Sequence, residues 1–427
     1  MRRLALPLLA LGLSALHAEE LHPTDAVRAA LASHPRLEAA RARRESASAQ
    51  ARQAQWDQLG RLDLGLQWNP SYQNREVTLP SVPPTSFSLG PYARHQIEAS
   101  LTQPLWTWGA LTGRSQAASF REEAGLQAES REAQMVAFEA TRAFLFARQA
   151  QESVLVAEQS VAQQQAFLLT ARARVAEGAA PRLDVLKAEL SLSEAESKRI
   201  TARNEERSTR EELVTVTGQA RFRSATLRSG DTPLQDLPSE DAALTRALSQ
   251  RADLKGAARL AQALRTGAAA ERAAGLPSLS LRTVLSQSSD AASGLHQSAN
   301  RTYALGLAVQ WEAFASKRSQ LRFADLSAQA RTQEAQTRNL EDQLKLEIRT
   351  ARWKVENARA QEGVAQRALA QAEEQARVSR VAYQEGIRTA VERQLDEVAL
   401  SGAQDRLLQA QTDLELAWAA LRLALGD

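Results

Sequence analysis

The 427-residue sequence predicts a mainly α-helical fold with a minor set of membrane β-strands, and three observations carry that expectation. Two proline-free tracts are long enough for helices of unusual length. Four short segments alternate apolar with polar or small residues. The order of these pieces also occurs twice along the chain, an internal two-fold repeat.

Arg2 and Arg3 precede an apolar run from Leu4 to Leu16, and Ala18 suits a cleavage site, so residues 1–18 read as a secretory signal peptide. The run is too short to span a bilayer as a helix, and no later segment is apolar enough to do so. No cysteine follows it, so the expected exported chain is not lipidated and has neither disulfides nor thiolate metal sites. Without the two signal arginines, 51 basic residues stand against 50 acidic ones. They are interleaved rather than gathered into a stripe, which argues against nucleic acid as a partner.

Proline punctuates the rest of the chain. Five of the thirteen prolines fall within 70–91, which predicts a loop there. Thr112–Glu177 and Lys317–Glu385 carry none, and each would reach about 100 Å as a helix at about 1.5 Å per residue. Gly178 and Gly386 suit the residue just past each helix, and returning helices come after them. Leu183, Leu186 and Leu190 line one face of the first, and Leu414, Trp418, Leu421 and Leu425 one face of the second. Hairpins of this length predict an elongated bundle.

Strands are expected near 62–68, 95–103, 278–286 and 303–311, each with an apolar and a polar or small face. The first repeat spans 19–218, with its helical hairpin at 112–217. A linker covers 219–238. The second repeat spans 239–427, with its hairpin at 317–425. Each repeat opens with a broken helix.

Alternating strands most often pack on a soluble core. Here the expected signal, the bordering aromatics (Trp68, Tyr72, Tyr92, Trp106, Trp108, Tyr303, Trp311, Phe314) and helices too long to cover a small sheet favour a membrane barrel in outer-membrane lipid. Four strands cannot close one, and open edges are not tolerated in lipid. Two chains would give eight strands with a filled lumen, whereas three give twelve and room for a conduit, so a homotrimer is expected.

Tyr383-Gln384-Glu385-Gly386-Ile387-Arg388-Thr389, with the helix to Ala424-Leu425-Gly426, resembles the C-terminal repeat of the TolC family of outer-membrane efflux channels. Glu177-Gly178-Ala179-Ala180-Pro181-Arg182-Leu183-Asp184-Val185-Leu186 resembles the matching N-terminal repeat, and Leu101-Thr102-Gln103-Pro104-Leu105-Trp106 resembles a strand exit of that family. The resemblance implies a twelve-stranded trimeric β-barrel with a periplasmic α-barrel. It also implies a passive conduit for small molecules, metals or proteins, served by a periplasmic adaptor (membrane fusion protein) and an inner-membrane transporter. It implies that Arg388 helps hold the periplasmic end shut, with Asp184 as its counterpart and Tyr383 nearby. The family's first constriction acid falls on Glu392 and its second on Leu395, with Asp396 one residue on. Three copies of Glu392 around an axis would disfavour anions, although solvated charges on a helix face would look the same in sequence. Adaptors are expected around the Gly178 and Gly386 tips.

No enzyme constellation appears: the histidines are scattered, and there is no P-loop or GxGxxG, so transport energy must come from a partner. No cofactor and no metal are expected. A pore-free periplasmic coiled-coil adaptor or scaffold is the competing class, and the strands with their aromatic borders tell against it.

Overall fold

The computed structural model describes residues 20–69, 75–83, 85–89, 94–229, 236–289, 295, 301–312 and 315–427. The expected signal peptide, Tyr72, Tyr92 and Phe314 lie outside these. In chain order the elements are β1 (Glu20–Leu21), α1 (Pro23–Ser33), α2 (Pro35–Trp56), β2 (Arg61–Asn69), β3 (Arg75–Leu79), β4 (Thr85–Leu89), β5 (Arg94–Trp106), α3 (Ala110–Ala176) and α4 (Arg182–Thr217). After a 3-10 turn at Ala220–Arg223 come β6 (Thr226–Leu227), α5 (Glu240–Gln250), α6 (Ala252–Ala273), β7 (Ser278–Ser289), β8 (Arg301–Gln310), α7 (Ala315–Gln384) and α8 (Ala390–Leu425).

The duplication expected from the sequence is visible in the packing. Aligning Gly178 with Gly386 sets Leu213 against Leu421, both fully buried, and Gly218 against Gly426. The last two end α4 and α8 in the left-handed conformation, at φ 67° and 89°. At Gly426 a side chain would also crowd the Arg251 backbone, whose N and Cα lie 3.3 and 3.2 Å from the place of a Cβ.

Two compact units form, and each draws on both repeats. The first comprises the described residues within 20–39, Ser130–Arg251 and Asp342–Asp427. In it α1 presents Ala26, Ala29 and Ala30 to Val136, Ala140 and Phe144 of α3 and Leu213 of α4. The second-repeat counterpart packs Ala243 and Ala247 of α5 on Leu344, Ile348, Leu414, Trp418 and Leu421. Alanine at the contact lets helix axes approach closely, which explains its abundance. β1 pairs in parallel with β6, tying Glu20–Leu21 to the segment after the first repeat.

The second unit comprises Ala40–Glu129 and Ala252–Glu341 and holds an antiparallel sheet in the order β2-β5-β7-β8. β5 runs through Pro104 to Trp106, and the ladder slips between those two residues, because proline offers no N–H to its neighbour. The loop expected at 70–91 contains a correction: β3 and β4 pair as an antiparallel hairpin. Its arms read Arg-Glu-Val-Thr-Leu and Thr-Ser-Phe-Ser-Leu, and Pro80 and Pro83 fall between them, where they cost no ladder bond.

Gly60 starts the sheet. Its φ is 87°, and a Cβ there would lie 2.9 Å from the Thr102 carbonyl oxygen. Gly60→Ala should therefore lose about 1–3 kcal/mol, measured by thermal unfolding in detergent. Gly306→Ala, with open space around it, should stay within about 0.5 kcal/mol of the parent.

Candidate functional site

Two features stand apart from ordinary packing: the turns joining the long helices, and the bare face of the sheet.

The two turns are built alike. Gly178 and Gly386 adopt φ 71° and 75°, and the residue after each donates its N–H to a carbonyl five residues back, Ala179 to Arg174 and Ile387 to Ala382, both at 2.8 Å. These bonds satisfy helix-end carbonyls and reverse the chain. The returning helices start differently. α4 begins after Pro181, whereas Thr389 and Glu392 form a reciprocal capping box at α8. The Glu392 carboxylate accepts from the Thr389 N–H at 2.8 Å and from its hydroxyl at 2.9 Å. The backbone bond first, then the hydroxyl, hold this exposed carboxyl below the ordinary glutamate range.

Around the second turn lies a polar cluster. Arg388 donates from Nη1 to Asp396 Oδ2 at 2.6 Å and to Ser379 Oγ at 3.4 Å, and Gln375 Nε2 donates to Asp396 Oδ1 at 2.5 Å. Arg380 grips the buried Glu397 through two bonds of 2.5 and 2.8 Å. The repeat alignment places Phe167, Ala171 and Ala188 opposite Gln375, Ser379 and Asp396, so the same positions are apolar in the first hairpin. One pair survives in both: Arg172 meets Glu189 at 2.9 Å where the second hairpin has Arg380 and Glu397.

Tyr383 joins the hairpins. Its ring is buried with Phe167, Leu168, Ala171, Ala188 and Ala390, edge-on to Phe167 at 5.4 Å between centroids. Arg174 donates to the Tyr383 carbonyl and stacks over its ring, and Arg393 lies 4.0 Å over the Phe167 ring. Burial, and then the charge of Asp184, push the Tyr383 phenol above its ordinary range. Its hydroxyl has no hydrogen-bond partner among the described residues.

Arg388 and Asp396 are thus brought together, on one hairpin, and Asp184 lies beside Tyr383 instead of pairing with Arg388 within the chain. The guanidinium reaches an acid two turns into its own returning helix, a shorter path than crossing to the other hairpin. Glu392 caps its helix, Asp396 is buried, and Leu395 is exposed. Sequence reading missed Gln375, Ser379, Arg380 and Glu397. The Thr389-x-x-Glu392 signature and the repeated Arg–Glu spacing were the available signals.

On the sheet, Leu62, Leu64 and Leu66 of β2, Ile97 and Leu101 of β5, and Leu305, Leu307 and Val309 of β8 stand on one face, and all are exposed. Trp68 closes this face at the loop end, 3.9 Å from the His95 ring. At the helix end are Trp106, Trp108 and Trp311; Trp108 donates to the Pro277 carbonyl at 2.7 Å and Trp311 to that of Gly275 at 3.2 Å. Tyr303 faces Leu285 in the row of Leu64 and Ala99, four residues inward from Trp68. From His95 to Trp106 β5 covers about 36 Å, or about 28 Å of height at a tilt near 40°, close to the roughly 25 Å apolar band of an outer-membrane barrel. Among the described residues no helix is long and apolar enough to cross a membrane.

The family model for outer membrane efflux proteins matches residues 26–219 and 243–427. Among solved structures, the outer membrane protein VceC of Vibrio cholerae superposes with a TM-score of 0.78 at 20% identity, covering 95% of this chain and 96% of its own. The Campylobacter jejuni CmeC outer membrane channel gives 0.81 at 15% identity, with coverages of 95% and 85%. The open state of the Neisseria gonorrhoeae MtrE outer membrane channel gives 0.77 at 16%, with 95% and 88%. No curated protein sequence matches the chain.

If the polar cluster acts as a unit, a double-mutant cycle on Arg388→Ala and Asp396→Ala should give a coupling energy of about 1–3 kcal/mol, read from hydrogen-exchange protection of residues 375–400. Because the Glu392 pKa is lowered on folding, its contribution to the cap is fully present above the ordinary glutamate value near 4.3 and fades as pH falls through the lower folded value. Exchange at the α8 start should rise only in that acid range.

Proposed function

The chain belongs to the outer membrane efflux protein family, and from that premise we propose that it is the passive outer-membrane conduit of an export complex, acting as a homotrimer. One observation carries this reading: a four-stranded antiparallel sheet with an exposed leucine face and two edges, β2 and β8, that pair with no further strand among the described residues. In hydrocarbon each open edge would leave backbone groups unbonded at a cost of several kcal/mol apiece. Pairing β8 of one copy with β2 of the next removes every edge and closes twelve strands. A pore-free periplasmic scaffold, the competing class, has no use for such a face.

In this reading the export signal of residues 1–18 delivers the chain, and its helices reach into the periplasm. An inner-membrane transporter supplies the energy. A periplasmic adaptor docks around the Gly178 and Gly386 turns, where Leu183, Leu186 and Ile387 are exposed. Arg388, Asp184 and Tyr383 form the latch at these tips. Burial of Tyr383 between the two hairpins supports this, as does the nearness of the Asp184 charge to its phenol. Asp396 holds Arg388 in place, and Glu392 presents its charge to the channel while capping α8. Trp68, Trp106, Trp311 and Tyr303 contact lipid.

The chain has no cysteine, so engineered pairs report cleanly. One cysteine at Gly65, scanned against single cysteines along β8, should give disulfide-linked trimers in oxidised outer membranes; monomers at every pairing would sink the shared barrel. In planar bilayers the purified protein should conduct, and Arg388→Ala or Asp184→Ala should raise the conductance. An unchanged conductance in both variants would remove the latch.

A further inference from the structure

The strand register places a second element on the face opposite the leucines. Arg61 faces Thr102, Thr102 faces Arg282, and Arg282 faces Gly306, so one transverse row holds two arginines. They are not equivalent. Arg61 donates from Nε to both Asp63 carboxylate oxygens, at 2.7 and 2.8 Å, and its charge is matched on the spot. Arg282 is exposed and, among the described residues, has no ion-paired or hydrogen-bonded partner. Small residues surround it: Gly306 opposite, with open space where a Cβ would stand, and Ala304 and Ala308 on either side along β8. Nothing on this stretch of wall engages the guanidinium.

We propose that Arg282 and its two symmetry copies form a cationic collar on the inner wall of the barrel, at its helix-side end, which favours cargo bearing carboxylate, sulfonate or phosphate groups. The collar rests on the trimeric channel reading. The apolar face must meet lipid, which turns the row of Arg282 towards the lumen. Twelve strands about 4.8 Å apart at a tilt near 40° enclose a backbone radius of about 12 Å. An arginine reaching inward then carries its charge to roughly 8 Å from the axis, within the Debye length of about 10 Å at 0.1 M salt. Three such charges raise the anion concentration on the axis about threefold, and the effect disappears at 1 M, where the Debye length is about 3 Å.

A counterweight lies farther along the wall. Glu98 belongs to the row Gly65–Glu98–Ser286, about 13 Å towards the loops at about 3.3 Å per residue. It accepts a 2.9 Å bond from Gln96, and no cation is paired with it among the described residues. The wall therefore carries an unmatched positive layer and then an unmatched negative one, and the two can be removed separately.

The test is the reversal potential of single channels in a KCl gradient near 0.1 M, recorded in an Arg388→Ala background so that the tip does not limit the current. Arg282→Gln should lower the chloride-to-potassium permeability ratio about threefold or more. Arg282→Lys should retain it, and Glu98→Gln should raise it. Both differences should vanish near 1 M KCl. Channels whose reversal potential is unmoved by Arg282→Gln overturn the collar and leave the conduit standing. If no channel forms in the parent background, the trimeric reading falls and the collar with it.

Discussion

A backbone amide in hydrocarbon has no water to bond, and that constraint governs the rest of the molecule. The four-stranded sheet carries leucines on the face where a soluble sheet would carry serine or lysine, and it leaves β2 and β8 without neighbours. An isolated chain can answer the first demand by entering lipid but cannot answer the second. In the proposed channel, the need for partner copies therefore follows from strand number. Tryptophans border the sheet at both ends, and at the helix side the indole N–H groups of Trp108 and Trp311 donate to carbonyls.

Duplication supplies the helical part cheaply in information: one hairpin design, used twice, with the same glycine turn, the same buried leucine at Leu213 and Leu421, and the same left-handed caps. Function enters where the copies differ. Phe167, Ala171 and Ala188 make the first tip an apolar seat, whereas Gln375, Ser379 and Asp396 make the second a hydrogen-bonded one around Arg388. Tyr383 sits at the join, its ring in the apolar half and its hydroxyl unmatched. An apolar contact is indifferent to small rotations, but a bonded guanidinium is held in one direction. The contacts of the second tip therefore carry a direction that those of the first do not.

Much of this was legible in sequence because the signals were periodic. Proline-free tracts ending at Gly178 and Gly386, and alternation such as Tyr303-Ala304-Leu305-Gly306-Leu307, report local geometry directly. The hairpin of β3 and β4 was missed because prolines dominated its neighbourhood, although they occupy its turn and not its arms. Pairing between charged side chains was harder to read. Arg388 had acids available on either hairpin, and the choice of Asp396 depends on how far a guanidinium reaches back along its own helix. Glu392 drew attention as a charge when its first task is a cap, a role that Thr389 three residues earlier could have announced.

The two-residue ladder between β1 and β6 bears on the order of assembly. It closes a loop of roughly two hundred residues, at an entropic cost that so few bonds cannot repay alone. Contacts near a helical turn, such as Arg172 with Glu189, close far shorter loops and cost less entropy. Leu21 can reach Leu227 only after the first repeat has emerged and folded back beside it. By its place in the chain and the entropy of its loop, the β1–β6 pairing is a clasp on a completed repeat, not a nucleus.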